Sequence, residues 1–392
     1  MPTDRRKDRT RLTHSGNNPK ANHGIVNPPV YHASTVMFAS VAEMRAKGQD
    51  KFNNVYYGRY GTPTTFALEQ AVADLEEADK AVALPSGLAA IAGALLSFLK
   101  TGDHVLMVDS VYEPARMLCD QRLAPLGITT TYYDPMIGSR IAELIQPNTR
   151  IVYLESPGSH TFEVQDVPAI AAAAHARGCV VMIDNTWGTP LFFKPFRHGV
   201  DLSIHAATKY IVGHADVMMG IVTMREEFYK TVKTQVHGLG YAVGPDDCYL
   251  ALRGLRSMGA RLAQHQETAL KLAKWLQQRP EVARVLHPAL PDHPSHALFK
   301  RDFLGSTGLF SMVLNPCAPE RLTAMLDGME LFGIGASWGG YESLIMPSHL
   351  GAARTATKWA APGPCVRLHA GLEDPDDLIA DLDAGFARLR GN

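Results

Sequence analysis

Between residues 65 and 224 short apolar runs alternate with stretches of helical spacing. Residues 65–78 include ALEQAVADLEEA, whose apolar positions fall three and four apart with charges between them, a pattern that predicts a helix. AVALPSGLAAIAGALLSFLK then reads as a short strand, a Ser86-Gly87 turn and a long apolar helix. Strands follow at 104–112, 129–134, 150–156 and 179–184, separated by helices near 113–126, 140–144 and 167–178. Two more apolar runs, 201–205 and 216–224, precede a helix over 225–239. Strand and helix alternating at this spacing predict an α/β fold with a mostly parallel sheet covered on both faces. A long helix over 246–278, stopped by Pro280, leads to a smaller α+β part with strands at 309–314 and 365–368 and helices at 319–326 and 375–389. Residues 1–60 show little periodicity and read as an arm crossing a surface or a neighbouring subunit. The expected division is an arm at 1–60, a large domain at 61–255 and a small domain at 256–392.

Composition narrows the class. With 392 residues the chain is long enough for a sizeable core in two units. Its 46% hydrophobic content and net charge of −1 describe an ordinary globular protein and give no footprint for nucleic acid. The five cysteines are scattered and contain no CxxC, so neither a disulfide framework nor a zinc site is expected, and a reducing cytoplasm fits. The charged N-terminus lacks the apolar core of a signal peptide, and the longest apolar run, near 89–98, is too short to span a bilayer.

Candidate chemistry collects at the ends of the apolar runs. One run ends in Asp184, and the next leads into Ala206-Ala207-Thr208-Lys209-Tyr210. Pyridoxal phosphate needs such a pair: a lysine amine for a Schiff base with its aldehyde and a carboxylate to keep the pyridine nitrogen protonated. Taken singly, the lysine also reads as a surface charge and the Asp as a turn former. The Ser86-Gly87 turn into a helix can present free N–H groups to a phosphate. Tyr112, just past a strand, can stack on a ring or pack under a loop. Three glycines in GLGYAVG (238–244) have the wrong spacing for a dinucleotide site. His287, His293 and His296 fall in a Pro-rich loop expected to be solvated.

Taken in order, Tyr57-Gly58-Arg59-Tyr60-Gly61, Ser86-Gly87-Leu88-Ala89-Ala90, Asp184-Asn185-Thr186, Ala207-Thr208-Lys209-Tyr210 and Val366-Arg367-Leu368 resemble the Cys/Met-metabolism group of fold-type I pyridoxal phosphate enzymes over nearly the whole chain. The resemblance implies an aspartate-aminotransferase-like, seven-stranded sheet. It implies that Lys209 carries the cofactor and moves protons, Asp184 pairs with the pyridinium and Tyr112 stacks on the ring. Ser86, Gly87, Leu88 and Thr208 would hold the phosphate, with Tyr57 and Arg59 reaching it from an adjacent subunit. That implies a homo-oligomer, a homotetramer built as a dimer of dimers, with shared sites. Arg367 would clamp the carboxylate of a small amino-acid substrate, beside Ser337, Trp338 and Tyr57. Within the group, Ser337-Trp338-Gly339-Gly340-Tyr341 and Arg367-Leu368-His369-Ala370-Gly371 are most similar to bacterial cystathionine beta-lyases. This implies β-elimination of cystathionine in methionine biosynthesis. Gamma-synthase or gamma-lyase chemistry, a broader cysteine-S-conjugate lyase, and a non-catalytic cofactor-binding regulator are the alternatives. Two departures from the family pattern are Ala206, where Ser is frequent, and Ser159, where Asn is frequent.

Overall fold

The structure is a computed structural model that describes residues 6–351 and 354–391. Its first half runs α1 (Asp8–His14), α2 (Val41–Gln49), α3 (Pro63–Glu76), β1 (Lys80–Leu84), α4 (Gly87–Leu96), β2 (His104–Val108), α5 (Glu113–Leu118), β3 (Thr129–Tyr133), β4 (Thr149–Glu155), α6 (Val167–His175), β5 (Val180–Asp184), α7 (Thr189–Phe192), β6 (Leu202–Ala206), β7 (Gly220–Met224), α8 (Glu226–Gly238) and α9 (Pro245–Leu276). The remainder is β8 (Val282–Leu286), α10 (His296–Asp302), β9 (Leu309–Leu314), α11 (Pro319–Asp327), β10 (Gly333–Ile334), β11 (Leu344–Ser348), β12 (Cys365–His369) and α12 (Pro375–Arg390).

The large sheet has the order β1-β7-β6-β5-β4-β2-β3, as the expected seven-stranded α/β fold requires. Strands β2 to β6 run parallel, and every residue of β2 is buried, because helices cover both faces. One expectation needs correction: the last run, read as 216–224, is a strand only from Gly220, and it pairs antiparallel with both β6 and β1. The connection from β6 to β7 therefore doubles back at the end of β6, and Lys209 lies in that turn. From β2 the chain pairs outward to β3 and returns to β4 on the other side of β2. The C-terminal ends of β2 and β4 at this reversal are the usual place for a ligand crevice in a doubly wound sheet.

The second sheet has the order β10-β11-β12-β9-β8, with α11 and α12 packed against each other beside it. Helix α9 serves both cores. Cys248, Ala251, Leu252, Leu255, Met258 and Leu262 pack with α3 and the turn after β6, whereas Ala269, Leu272, Ala273 and Leu276 pack with the second sheet.

The first sixty residues hold two helices that the hydrophobic pattern did not predict. Leu12 is the one buried residue of α1, and Arg256 on α9 donates to Leu12 O and to Ser15 O at 2.9 Å for the latter. Lys194 reaches Asp8 at 2.9 Å. A seven-residue helix held by such contacts leaves little periodic trace. The histidine-bearing loop is also unlike its expectation: His287 and His293 are buried, accepting from Ala289 N and Ser295 N, both at 3.2 Å, and burial pushes His287 down to about 3.

Candidate active site

Strand ends build the floor of the crevice. Asp184 closes β5 and lies in register with Glu155 at the end of β4. Thr186 N donates to Asp184 Oδ1 at 2.9 Å, while Thr186 Oγ1 accepts from Ala206 N at 2.9 Å and so ties the end of β5 to the end of β6. Burial, followed by the Asp184 charge, pushes Glu155 up to about 8. Asp184 is also raised by burial, but the Thr186 bonds and the charges of His205 and Lys209 oppose that rise. Burial and mutual repulsion therefore raise both carboxyls, and the Thr186 bonds and the Lys209 charge favour the ionised form of Asp184.

Lys209 sits three residues beyond β6 and donates to Ser337 Oγ at 2.6 Å. Burial and then the Arg367 charge push its ammonium down to about 8, with Asp184 opposing. A lysine in this state has an appreciable neutral fraction, which a nucleophile toward an aldehyde or a proton acceptor needs. Tyr112 caps the start of α5, and its backbone N–H donates to Glu155 Oε2 at 2.7 Å. Its phenol is raised by burial and by Asp184 and Glu155, with Arg367 opposing, which places the ring within the field of all three.

At the turn before α4, Ser86 Oγ accepts from Ala89 N at 3.1 Å. Gly87 and Leu88 are the next two residues of this ten-residue helix, so their N–H groups lie in the first turn, beyond intrahelical partners. Gly87 is required sterically: a Cβ there would lie 2.6 Å from Ala206 Cβ. The same contact places Ala206 directly against this turn. Thr208 Oγ1 is already engaged, accepting from Met219 N at 2.9 Å and donating to Met219 O at 3.2 Å.

The roof comes from the second sheet. Arg367 on β12 donates through Nη2 to Ala336 O at 3.1 Å and Ser337 O at 3.2 Å. The next residue, Trp338, places its ring 5.4 Å from Lys209 Nζ and 5.4 Å from the Tyr210 ring. Lys209, Asp184, Tyr112, Arg367, Ser337 and Trp338 are thus brought together as the sequence motifs anticipate. Tyr57 and Arg59 are not. Arg59 donates to His237 O at 2.6 Å and lies over the Tyr60 ring, and among the described residues no hydrogen bond or ring contact joins either side chain to Lys209, Asp184 or Ser86.

Three residues of this region escaped the sequence reading. Glu155 ends an apolar run just as Asp184 does, so the same signal was available for it. Glu76 is fully buried under the floor and accepts from Asn185 Nδ2 (2.8 Å), Ser203 Oγ (2.8 Å), His205 Nε2 (2.7 Å) and Thr223 Oγ1. Asp109, just past β2, accepts from Thr355 N (2.9 Å), Ala356 N (3.1 Å), Thr357 N (2.8 Å) and Arg116 Nη2 (2.7 Å). Their partners are up to 248 residues away, so no local pattern marks these two.

Comparison with known proteins places this geometry. The sequence pattern of the family described as Cys/Met metabolism PLP-dependent enzyme matches residues 9–387. A cystathionine beta-lyase of Escherichia coli (strain K12) is 46% identical, covering 97% of this chain and 98% of its own. An L-alanine/L-glutamate racemase of Wolbachia pipientis wMel is 41% identical, covering 93% of each. The crystal structure of metB from Corynebacterium glutamicum superposes with a TM-score of 0.91 at 29% identity, covering 99% of this chain and 100% of that one. The donor set fits pyridoxal phosphate: helix N–H groups suited to a phosphate, a carboxylate at a strand end and a lysine with a lowered pKa. This chain belongs to the Cys/Met metabolism PLP-dependent enzymes, and its cofactor is pyridoxal phosphate.

Proposed function

We propose that this chain cleaves the Cβ–S bond of L-cystathionine to release homocysteine, and that one water hydrolyses the remaining unsaturated amino acid to pyruvate and ammonia, as a step in methionine biosynthesis. The observation that carries the reading is the roof: Trp338 stands 5.4 Å from Lys209 Nζ in a loop whose carbonyls are held by Arg367. The extent of similarity to the Escherichia coli lyase supports it.

When bound, pyridoxal phosphate supplies an electron sink for the charge that develops at Cα. Gly87 and Leu88 N–H, with Ser86 beside them, would hold its phosphate, and Thr208 would join them by turning its hydroxyl proton away from Met219 O. Asp184 would keep the ring nitrogen protonated, and Tyr112 would supply an aromatic surface for the ring. Arg367 has spent Nη2 on the loop, and its remaining N–H groups receive the substrate carboxylate. Lys209, in its neutral form, would take the Cα proton and deliver one to the departing sulfur. Ser337 accepts from Lys209 and directs its amine, while Trp338 limits how the rest of the substrate lies and so favours cleavage at Cβ over reaction at Cγ.

The active form is a homotetramer, a dimer of dimers, in which Tyr57 and Arg59 serve the site of the neighbouring subunit and Tyr57 also meets substrate. Exposed Ile25, Val26, Tyr31, Met37, Val41 and Met44 in the arm at 1–60 support burial against another subunit. The cofactor domain spans 61–255 and the small domain 256–392. All five cysteines are free, in keeping with a cytoplasmic setting. No helix among the described residues is long and apolar enough to cross a membrane.

The test is product identification from L-cystathionine. Pyruvate with homocysteine supports the reading; 2-oxobutyrate with cysteine moves the activity to Cγ. Loss of optical activity from L-alanine or L-glutamate, without cystathionine cleavage, replaces it with racemisation.

A further inference from the structure

Strand β12 carries two polar side chains on one face, Arg367 and His369, two residues apart. Arg367 holds the loop at the carbonyls of Ala336 and Ser337. His369 holds it on the far side of Trp338: its Nε2 accepts from Gly339 N at 3.0 Å, and its Nδ1 meets Glu342 O at 3.1 Å. Trp338 is thus pinned on both flanks by one strand.

The fit beneath the loop is close. Gly339 has φ +84, and a Cβ on it would lie 3.0 Å from Lys209 Cα, so the loop rests directly on the backbone of Lys209. His369 is buried, with the rings of Tyr210 at 6.0 Å and His265 at 5.2 Å. Only one form of the imidazole satisfies both bonds. Gly339 N–H needs a lone pair on Nε2, and Glu342 O needs a proton on Nδ1, so the ring must be neutral with its proton on Nδ1. Burial, with the nearby charges of His265, Arg367 and Lys209, keeps the imidazole well below its usual range and favours that form.

We propose that His369 is a positioning residue for substrate selection, fixing Trp338 over Lys209 by accepting the Gly339 N–H. It touches no reacting group. It acts through the loop, and the proposal rests on the lyase reading only in that Trp338 is taken to select the substrate. Arg367 cannot replace it, because a guanidinium accepts nothing and Gly339 offers a donor. A buried N–H left without an acceptor is costly, so the loop would shift to find one, and Trp338 would move with it.

Two substitutions separate the bond from the bulk. His369→Phe keeps a ring and removes the acceptor; His369→Gln keeps an acceptor at similar reach. Each is assayed for cofactor absorbance and content, for kcat and KM with cystathionine, and for acrylamide quenching of Trp338, isolated by subtracting the emission of a Trp338→Phe background. The expected result for His369→Phe is full cofactor content, more readily quenched Trp338 and a kcat/KM lower by roughly 10- to 100-fold, chiefly through KM. His369→Gln should recover most of this loss. Wild-type turnover and quenching in His369→Phe, or an equal fall in both variants, overturns the proposal, as does loss of cofactor from both. If His369→Phe does not fold, His369→Asn, whose acceptor falls short of Gly339, takes its place against His369→Gln, and identical behaviour of these two is then the contradicting result. Should the wild-type protein leave cystathionine intact, the lyase reading fails, while quenching alone still decides whether His369 holds Trp338.

Discussion

The floor and the roof of the crevice are built in different ways. On the floor, Asp184 ends β5 with backbone pairing on both sides, Glu155 stands opposite it at the end of β4, and Lys209 follows three residues beyond β6. The roof is a loop without strand pairing across Ser337 and Trp338, held by side chains of β12. A site of this kind can keep its reactive groups rigid while the substrate-facing surface depends on a few replaceable contacts. In the proposed function the chemistry belongs to the floor and the choice of substrate to the roof.

The largest effect should come from the floor. Lys209→Ala removes the proton carrier and should lower turnover by roughly 10²–10⁴-fold or more, with loss of the visible absorbance of the bound cofactor; substantial turnover in this variant would break the division. Beneath it, Glu76→Ala leaves His205, Ser203, Asn185 and Thr223 without their shared acceptor, and should cost about 3–5 kcal/mol in urea unfolding. No change there would mean that the floor is not held from below. Mixing Lys209→Ala with Arg59→Ala subunits should restore part of the activity that each lacks, since a hybrid dimer contains one intact site; mixtures as inactive as their parents would remove the shared-site arrangement.

A smaller effect links roof to floor through charge. Lys209 must be neutral to attack the cofactor aldehyde, so the rate at which cofactor-free protein captures pyridoxal phosphate should rise with pH and level off above about 8. The Arg367 charge disfavours the protonated lysine, so Arg367→Gln should move that limb to higher pH. A limb that stays in place would show that burial alone lowers the lysine.

The two regions also differ in how far the sequence foretells them. An acid closing an apolar run, or a lysine just after one, marks the C-terminal end of a strand, and that is why Asp184 and Lys209 stood out. Pairing direction leaves no such mark: an antiparallel β7 and a parallel one have the same apolar pattern, and only its pairing shows that the chain doubles back after Lys209. Strand β11 was hidden by Pro347, which lacks an N–H. It is tolerated because β10 pairs only with Leu344 and Ile345, leaving Pro347 at an open edge. His369 lay within a recognised motif, yet its role depends on Gly339, thirty residues earlier. Asp109 and Glu76 gather donors from across the chain, and neither shows itself before the chain has folded.

The most direct measurement is the steady-state cleavage of L-cystathionine by Trp338→Phe beside the wild-type protein, with bound cofactor quantified in both. If the roof selects and the floor reacts, cofactor content and absorbance are unchanged, and kcat/KM for pyruvate release falls by roughly 10- to 100-fold. Wild-type kcat/KM in that variant, or a loss of cofactor that accounts for the whole fall, would contradict the account.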